Sequence, residues 1–448
     1  MVTNIVKTIL LSIVINQSVI PHSLAVENLL DIYQLALESD PYLKQVALSY
    51  DIAIERKQQA LSPLLPNISM SANLSNNVQK RTYDVSQFNG EEDFNSQGYS
   101  LSLSQSLFRY ENHLRYTQEN QRIKQTNVEL EHAKQSLMIQ VVERYFDILA
   151  AQDNLRFVAA EKQTIQRQLE QVKNRLEAGL SAITDLYETQ ARLDSTIALE
   201  IEAQNQLQNS LETLRKTTNQ YHEKLAPLHD IQTFNAPVPL DIKHWVSVAL
   251  KNNLEIMALR HNHEYLRQDI DTQRAGHYPT LDLTLQYSKS NSGGGNFGDS
   301  ETEDRIIGLQ LDMPIYQGGL IRSKTRVATK TYNQHQEKLE STIRTVRSQT
   351  REAYLGVMAS IARISALKQA VRSNHQAIEA IQAGYNEGMR TTFDVLQSSK
   401  ELYRTQRDYQ RARYDYILNS LKLKQATGQL FLLNLTQVNN WLNEEKRL

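Results

Sequence analysis

The residues best equipped for chemistry lie in "YNEGMRTTFDVLQ", Tyr385 to Gln397, where a tyrosine, an arginine and an aspartate surround a glycine. A tyrosine hydroxyl and a guanidinium donate hydrogen bonds, and a carboxylate accepts them or attracts cations. The chemistry on offer is therefore reversible bonding and electrostatics. A second stretch, "LEAGLSAITDLYE" (Leu176 to Glu188), lies 209 residues earlier and repeats the glycine and the aspartate as Gly179 and Asp185. It carries Leu176 where the later copy has Tyr385, and Ser181 where that copy has Arg390.

Covalent chemistry finds little support elsewhere. The histidines are scattered, and His261 and His263, two apart on an expected helix, face away from each other and make no metal pair. With no cysteine there is no disulfide, thiol nucleophile or Cys-ligated zinc. The glycine run "SGGGNFGDS" lacks the Gly-Lys-Ser/Thr that a phosphate loop requires and reads as an exposed hairpin tip. No nucleophile–base motif or paired-carboxylate cleft stands out, so the reading is no enzyme, no catalytic residue, no metal site and no cofactor. A formal charge of −1 gives no support for nucleic acid as a partner.

The first residues read as a secretory leader. Lys7 precedes the short apolar run "TILLSIVI" (8–15), and "SLA" (23–25) offers small residues before a cut after Ala25. A mature chain of 448 − 25 = 423 residues outside the cytoplasm is expected. No later segment is apolar enough for a membrane helix, so a membrane crossing must use strands.

The elements that place the two glycine turns are themselves written twice. Glu143 and Tyr145 align with Glu352 and Tyr354 at the same 209-residue shift, and "PNISMSANL" (66–74) aligns with "PTLDLTLQY" (279–287) at a shift of 213. Each copy reads helix, strand, strand, long helix, turn, helix. Period-two alternation marks strands at about 66–76, 98–107, 280–289 and 305–315, with polar loops at 76–97 and 289–305. Leu155, Val158, Lys162, Ile165, Leu169, Val172 and Leu176 alternate spacings of three and four, as in a coiled-coil seam, and Ile364 to Tyr385 repeat the pattern. The long helices, about 112–178 and 322–387, would each span roughly 100 Å at ~1.5 Å per residue. A compact globule of this length is only ~57 Å across, so the protein must be elongated. The expected organisation is a leader (1–25), a first repeat (26–219) with its hairpin at 112–219, a linker (220–241), a second repeat (242–427) with its hairpin at 322–427, and a tail (428–448).

Four tilted strands of about nine residues match the ~25 Å apolar band of an outer-membrane barrel, yet single-chain barrels begin at about eight strands. Open edges in lipid leave backbone groups unpaired, so closure calls for several identical chains.

The ordered series "SPLLPNISMSANL", "LEAGLSAITD", "GHYPTLDLT", "MPIYQGG", "AGYNEGMRTTFDVL" and "ARYDYILNSLKLKQATG" resembles the TolC family of outer-membrane efflux channels over essentially the whole mature chain. The resemblance implies a mixed, mainly α protein, in which a long antiparallel coiled-coil α-helical barrel is continuous with a transmembrane β-barrel. A homotrimer with four strands per protomer would close 12 strands, and 220–242 and the tail after Gly428 would form a belt midway. It implies export of drugs, small toxic compounds or proteins, with the barrel in outer-membrane lipid and the helices in the periplasm of a Gram-negative cell. The implied partners are a periplasmic adaptor (membrane fusion protein) and an inner-membrane pump of RND, ABC or MFS type. Many relatives carry an acylated N-terminal cysteine, and the lack of one here favours the non-lipidated TolC branch. A family channel dedicated to metal ions, or a trimeric coiled-coil surface protein that is no channel, are the alternative readings.

Gly179 and Gly388 sit where a left-handed helix cap is needed, and Asp185 and Asp394 fall in the following first turns. The resemblance adds roles. Tyr385 and Arg390 would bond the Asp185 region, with Asn174 and Thr184 nearby, and latch the tunnel shut. Asp394 would ring the inner mouth, and the family's second aspartate ring falls here on Gln397, leaving three carboxylates per trimer. The adaptor would meet the tips at Gly179, Leu180, Gly388 and Met389.

Overall fold

The computed structural model describes residues 26–82, 84–85, 90–222, 224–229, 233–295 and 298–442, so the expected leader and the last six residues of the tail lie outside the described residues. Each copy begins with a helix in two pieces where the sequence reads as one. In the first, α1 (Leu29–Ser39) stops at Asp40, whose carboxylate accepts the Leu43 amide at 2.7 Å and caps α2 (Pro41–Leu61), with proline at the first helical position. In the second, Asn253 ends α5 (Ile242–Asn252) and accepts the Ile256 amide at 3.2 Å to start α6 (Leu254–Arg274). A short polar side chain offers the same solution at both joints.

The strands β1 (Asn67–Arg81), β2 (Gly90–Phe108), β3 (Thr280–Ser292) and β4 (Ser300–Asp312) form one antiparallel sheet in that order. The two copies join at the β2–β3 pair. In register, Ile68 faces Leu103, Met70 faces Leu101, Leu101 faces Tyr287 and Leu285 faces Ile307, which gathers the apolar residues on one side. Ile68, Met70, Leu74, Ile307, Leu309 and Leu311 on that side are exposed in the single chain. Serine pairs occupy the other side, Ser69 with Ser102 at 2.7 Å and Ser71 with Ser100 at 2.8 Å.

The first hairpin runs well past its apolar part. Ser75 bonds Ser96 at 3.1 Å, the Asn76 amide donates to Asn95 at 3.0 Å, and Arg81 pairs with Glu92 at 3.2 Å, so most of the stretch expected as loop 76–97 is strand. A polar ladder supports a hairpin in water without alternation, because the backbone bonds and cross-strand pairs suffice. At the opposite end β4 stops at Asp312, short of the expected 315, because Pro314 cannot donate to a ladder.

Two helical hairpins extend from the sheet. The first is α3 (Tyr110–Glu177) with α4 (Ile183–Thr218), the second α7 (Leu320–Asn386) with α8 (Thr392–Ala426). At ~1.5 Å per residue the 68 residues of α3 span roughly 100 Å. Among the described residues no helix is long and apolar enough to cross a membrane. Of the seam residues, Val158, Ile165, Leu169 and Val172 are buried, and Lys162 reaches out to Glu200. Their counterparts Leu367, Asn374, Ile378 and Ile381 are only half-buried.

The main core lies midway along the hairpins. Val141, Val142, Tyr145 and Ile148 of α3 are buried against α1, Leu225, Ala226 and the short helix α9 (Leu432–Asn439). Isolated bridges pair Glu27 with Leu225 and Leu228 with Leu442, so both ends of the described chain close over this belt. The Tyr145 hydroxyl donates to the Ala226 carbonyl at 2.8 Å. Tyr416 of α8 is buried here too, and its hydroxyl donates to the Asn235 carbonyl at 3.0 Å.

Candidate functional site: the two hairpin tips

The first tip is a helix end closed by backbone bonds alone. Gly179 takes φ +73°, the Leu180 amide donates to the Arg175 carbonyl at 2.8 Å, and the Gly179 amide donates to Leu176 at 2.9 Å. The second repeats it: Gly388 takes φ +76°, Met389 donates to the Gly384 carbonyl at 2.8 Å, and Gly388 donates to Tyr385 at 3.0 Å. Any side chain strains such a left-handed position, which accounts for the shared glycine.

The shared aspartates cap the returning helices. Asp394 and Thr391 form a reciprocal box: the Thr391 amide donates to the Asp394 carboxylate at 3.0 Å, and the Asp394 amide donates to the Thr391 hydroxyl at 3.2 Å. The Thr391 amide and then its hydroxyl hold the Asp394 carboxyl below the usual carboxylate range, and the Arg390 charge adds to the effect. Asp185 accepts from the Ser181 hydroxyl at 2.7 Å and the Ala182 amide at 3.3 Å. Ser181, the counterpart of Arg390, thus serves its own turn.

The copies diverge in the last helical turn. Tyr385 is buried, and its hydroxyl accepts from Thr392 at 3.5 Å. Its neighbour from the first copy is Arg175, one position before the matching stretch that starts at Leu176: the guanidinium carbon lies 4.8 Å from the ring centre, and Nη1 donates to the Tyr385 carbonyl at 3.5 Å. The protomer therefore brings Tyr385 to Arg175 and not to Asp185. Arg390, Thr184, Asn174 and Gln397 are exposed, and none makes a side-chain hydrogen bond or ion pair among the described residues. Leu180, Met389, Ile183, Tyr187 and Phe393 leave an apolar surface around the tips.

The two hairpins are stitched together above the tips. Arg411 pairs with Asp147 at 2.8 Å, the Tyr414 hydroxyl donates to Asp153 at 2.6 Å, and Thr164 and Tyr403 share a hydrogen bond of 3.0 Å. His261 bonds Gln121 at 3.3 Å, and the His263 ring stacks on Tyr332 at 4.2 Å. Among the described residues no group of three or more His, Asp or Glu is placed to hold a metal ion.

The profile of the family described as outer membrane efflux protein matches residues 32–220 and 245–429, one match to each copy of the repeat. The chain belongs to this family. It is 37% identical over 425 residues to outer membrane protein TolC of Vibrio cholerae, covering 94% of this chain and 95% of that one. It is 29% identical over 406 residues to the alkaline protease secretion protein AprF of Pseudomonas aeruginosa, covering 90% and 84%. The structure of the Campylobacter jejuni CmeC outer membrane channel superposes with a TM-score of 0.80 at 18% identity, over 94% of this chain and 91% of that one, a likeness of fold. This outer membrane efflux protein is accordingly a channel protein of the Gram-negative outer membrane, built as a helical tunnel continuous with a β-barrel. Its family is one of transport channels that work with other efflux components.

Proposed function

We propose that three copies join head to tail into a tunnel that exports drugs, small toxic compounds or proteins, shut at its inner mouth until a periplasmic adaptor engages the hairpin tips. One asymmetry carries this reading. Helix α3 packs against its own α2 and α4 and also against α6 and α8 of the second copy, whereas α7 packs on its own α5, α6 and α8 and has no comparable packing on α2 or α4. In the same way β2 pairs with β3, while β1 and β4 are left as the two sheet edges. A neighbouring protomer placed by the relation that links copy one to copy two would fill both vacancies. Three repetitions give 12 strands, within the range of closed outer-membrane barrels. The half-buried α7 seam is what such an interface needs.

In this reading Arg390 reaches across the subunit boundary to the Asp185 and Thr184 region of the next protomer, with Asn174 close by. Arg390 is exposed, and while its amide donates to the Gly384 carbonyl at 3.2 Å, its side chain makes no hydrogen bond or ion pair among the described residues, which supports a partner elsewhere. Asp394 then recurs three times around the axis and attracts cations. Gly179, Leu180, Gly388 and Met389 meet the adaptor, which couples the tunnel to an inner-membrane pump of RND, ABC or MFS type. Export of drugs and proteins rests on likeness to TolC and AprF.

Replacing Tyr385 and Arg390 together tests the latch. The double variant, present at normal levels, is expected to admit large antibiotics that the parent cell excludes. An unchanged barrier refutes the latch.

A further inference from the structure

We propose that Arg175 is a positioning residue of the closure: within each protomer it clamps Tyr385, and so fixes the tip from which Arg390 reaches outward. The proposal rests on the closed-mouth reading above and adds a residue to it. Three observations carry it. First, Arg175 engages Tyr385 twice, with its guanidinium carbon 4.8 Å from the ring centre and Nη1 on the carbonyl at 3.5 Å. A planar cation over an aromatic face is attracted by the ring's quadrupole, and a helix's last carbonyls favour a positive partner. Second, this is the side-chain contact between the copies nearest the tips. Above it the stitches run from α3 to α8 at Thr164–Tyr403, Asp153–Tyr414 and Asp147–Arg411, with Leu396 of α8 packed among Ile165, Leu169 and Leu193, and the Arg175–Tyr385 contact joins the end of α3 to the end of α7.

Third, the exchange between the copies is reciprocal. The counterpart of Arg175 is Gly384, just as Leu176 corresponds to Tyr385. A side chain at Gly384 would bring its first carbon to 3.0 Å from Cγ of Arg390, so the glycine is the surface on which the Arg390 stem lies. Copy one keeps an arginine that grips the other copy; copy two gives it up, supplies the ring that is gripped, and uses the space to seat a second arginine that points away. Loss of the Arg175 clamp frees the platform that aims Arg390, so both halves of the closure loosen together.

A half-exposed cation over an aromatic face shifts a two-state balance by about two- to fivefold per protomer, and three such contacts multiply in a threefold mouth. The test is the conductance of the purified, membrane-reconstituted channel, with its oligomer checked by gel mobility. Arg175→Gln is expected to raise conductance several-fold, and Arg175→Lys to raise it less because a cation remains. The aromatic partner discriminates clamp from general damage. On a Tyr385→Phe background, which keeps the ring, Arg175→Gln should open the channel as it does in the parent. On a Tyr385→Leu background, which restores the residue of copy one, it should add nothing. Unchanged conductance in Arg175→Gln, or an equal increment on both backgrounds, overturns the proposal. If the Tyr385 and Arg390 double variant opens while Arg175→Gln does not, the latch stands and the clamp falls. If neither opens, both fall.

Discussion

The Tyr414 hydroxyl donates to the Asp153 carboxylate at 2.6 Å, tying the returning helix of the second copy to the outgoing helix of the first. The tyrosine is buried, and Asp153 also holds Arg156 at 2.7 Å. A buried bond to a charged acceptor contributes more than a neutral one, so Tyr414→Phe should cost about 2 kcal/mol of unfolding free energy, read by urea denaturation of the extracted protein.

The same tyrosine sets an alkaline limit. Burial first, and then the Asp153 charge, push the Tyr414 hydroxyl far above its ordinary 10.0. Burial and the Glu131 charge push Tyr33 up to about 12, and burial raises Tyr145 still further. A group whose folded value is raised stabilises the fold fully below its unfolded value, and that contribution is lost as pH climbs toward the folded value. Thermal stability should therefore hold through neutral pH and fall progressively above about pH 10. Tyr33→Phe should make that fall shallower; an unchanged slope would mean that the belt tyrosines do not set it.

In the proposed inner mouth the Thr391 box would have an electrostatic consequence. Thr391→Ala removes the hydroxyl that helps hold the Asp394 carboxyl down, so the carboxyl should protonate at higher pH than in the parent. Single-channel reversal potentials in a salt gradient should show cation preference disappearing on acidification, and disappearing earlier in the variant.

One turn along α8 from Asp394, Gln397 is exposed, and in the proposed mouth it would leave a single carboxylate per protomer on that face. Gln397→Asp should strengthen cation preference at neutral pH and narrow the difference from channels with two such rings. Recordings in which it leaves the preference unchanged would remove Asp394 and Gln397 from the conduction path.

The apolar side of the sheet gives a prediction in lipid. Leu309 is exposed in the single chain, on the same side as Ile307 and Leu311. Leu309→Arg puts a charge on the lipid face at a cost of about 2–4 kcal/mol near the midplane. The variant should be depleted from outer-membrane fractions, whereas a polar change at Ser71, on the serine face, should be tolerated.

Much of this architecture was legible in the sequence because duplication reads the same constraint twice. Gly179 and Gly388 need left-handed backbones, and the heptad at Leu155 to Leu176 must be buried against something, so the long hairpins follow. What the sequence hides has physical causes. Asn76 and Asn95 carry no apolar alternation, yet they pair in a hairpin that backbone bonds extend through water. The breaks at Asp40 and Asn253 depend on single capping bonds inside runs that otherwise favour helix. Arg175 is an ordinary coiled-coil surface residue until a partner 210 positions away in sequence is placed over it. Periodicity reports which face of a helix is buried and not which distant side chain meets it. The resemblance groups Tyr385, Arg390, Asp185, Thr184 and Asn174, and in the protomer Asp185 is occupied by its own turn.

The account depends most on the unfilled edges β1 and β4 finding each other between copies. The mass of the detergent-extracted protein by native mass spectrometry, together with its conductance in a planar bilayer, tests this most directly. Three chains per particle and one conducting pore per particle are predicted. A water-soluble particle of one chain that inserts no sheet into lipid would contradict it.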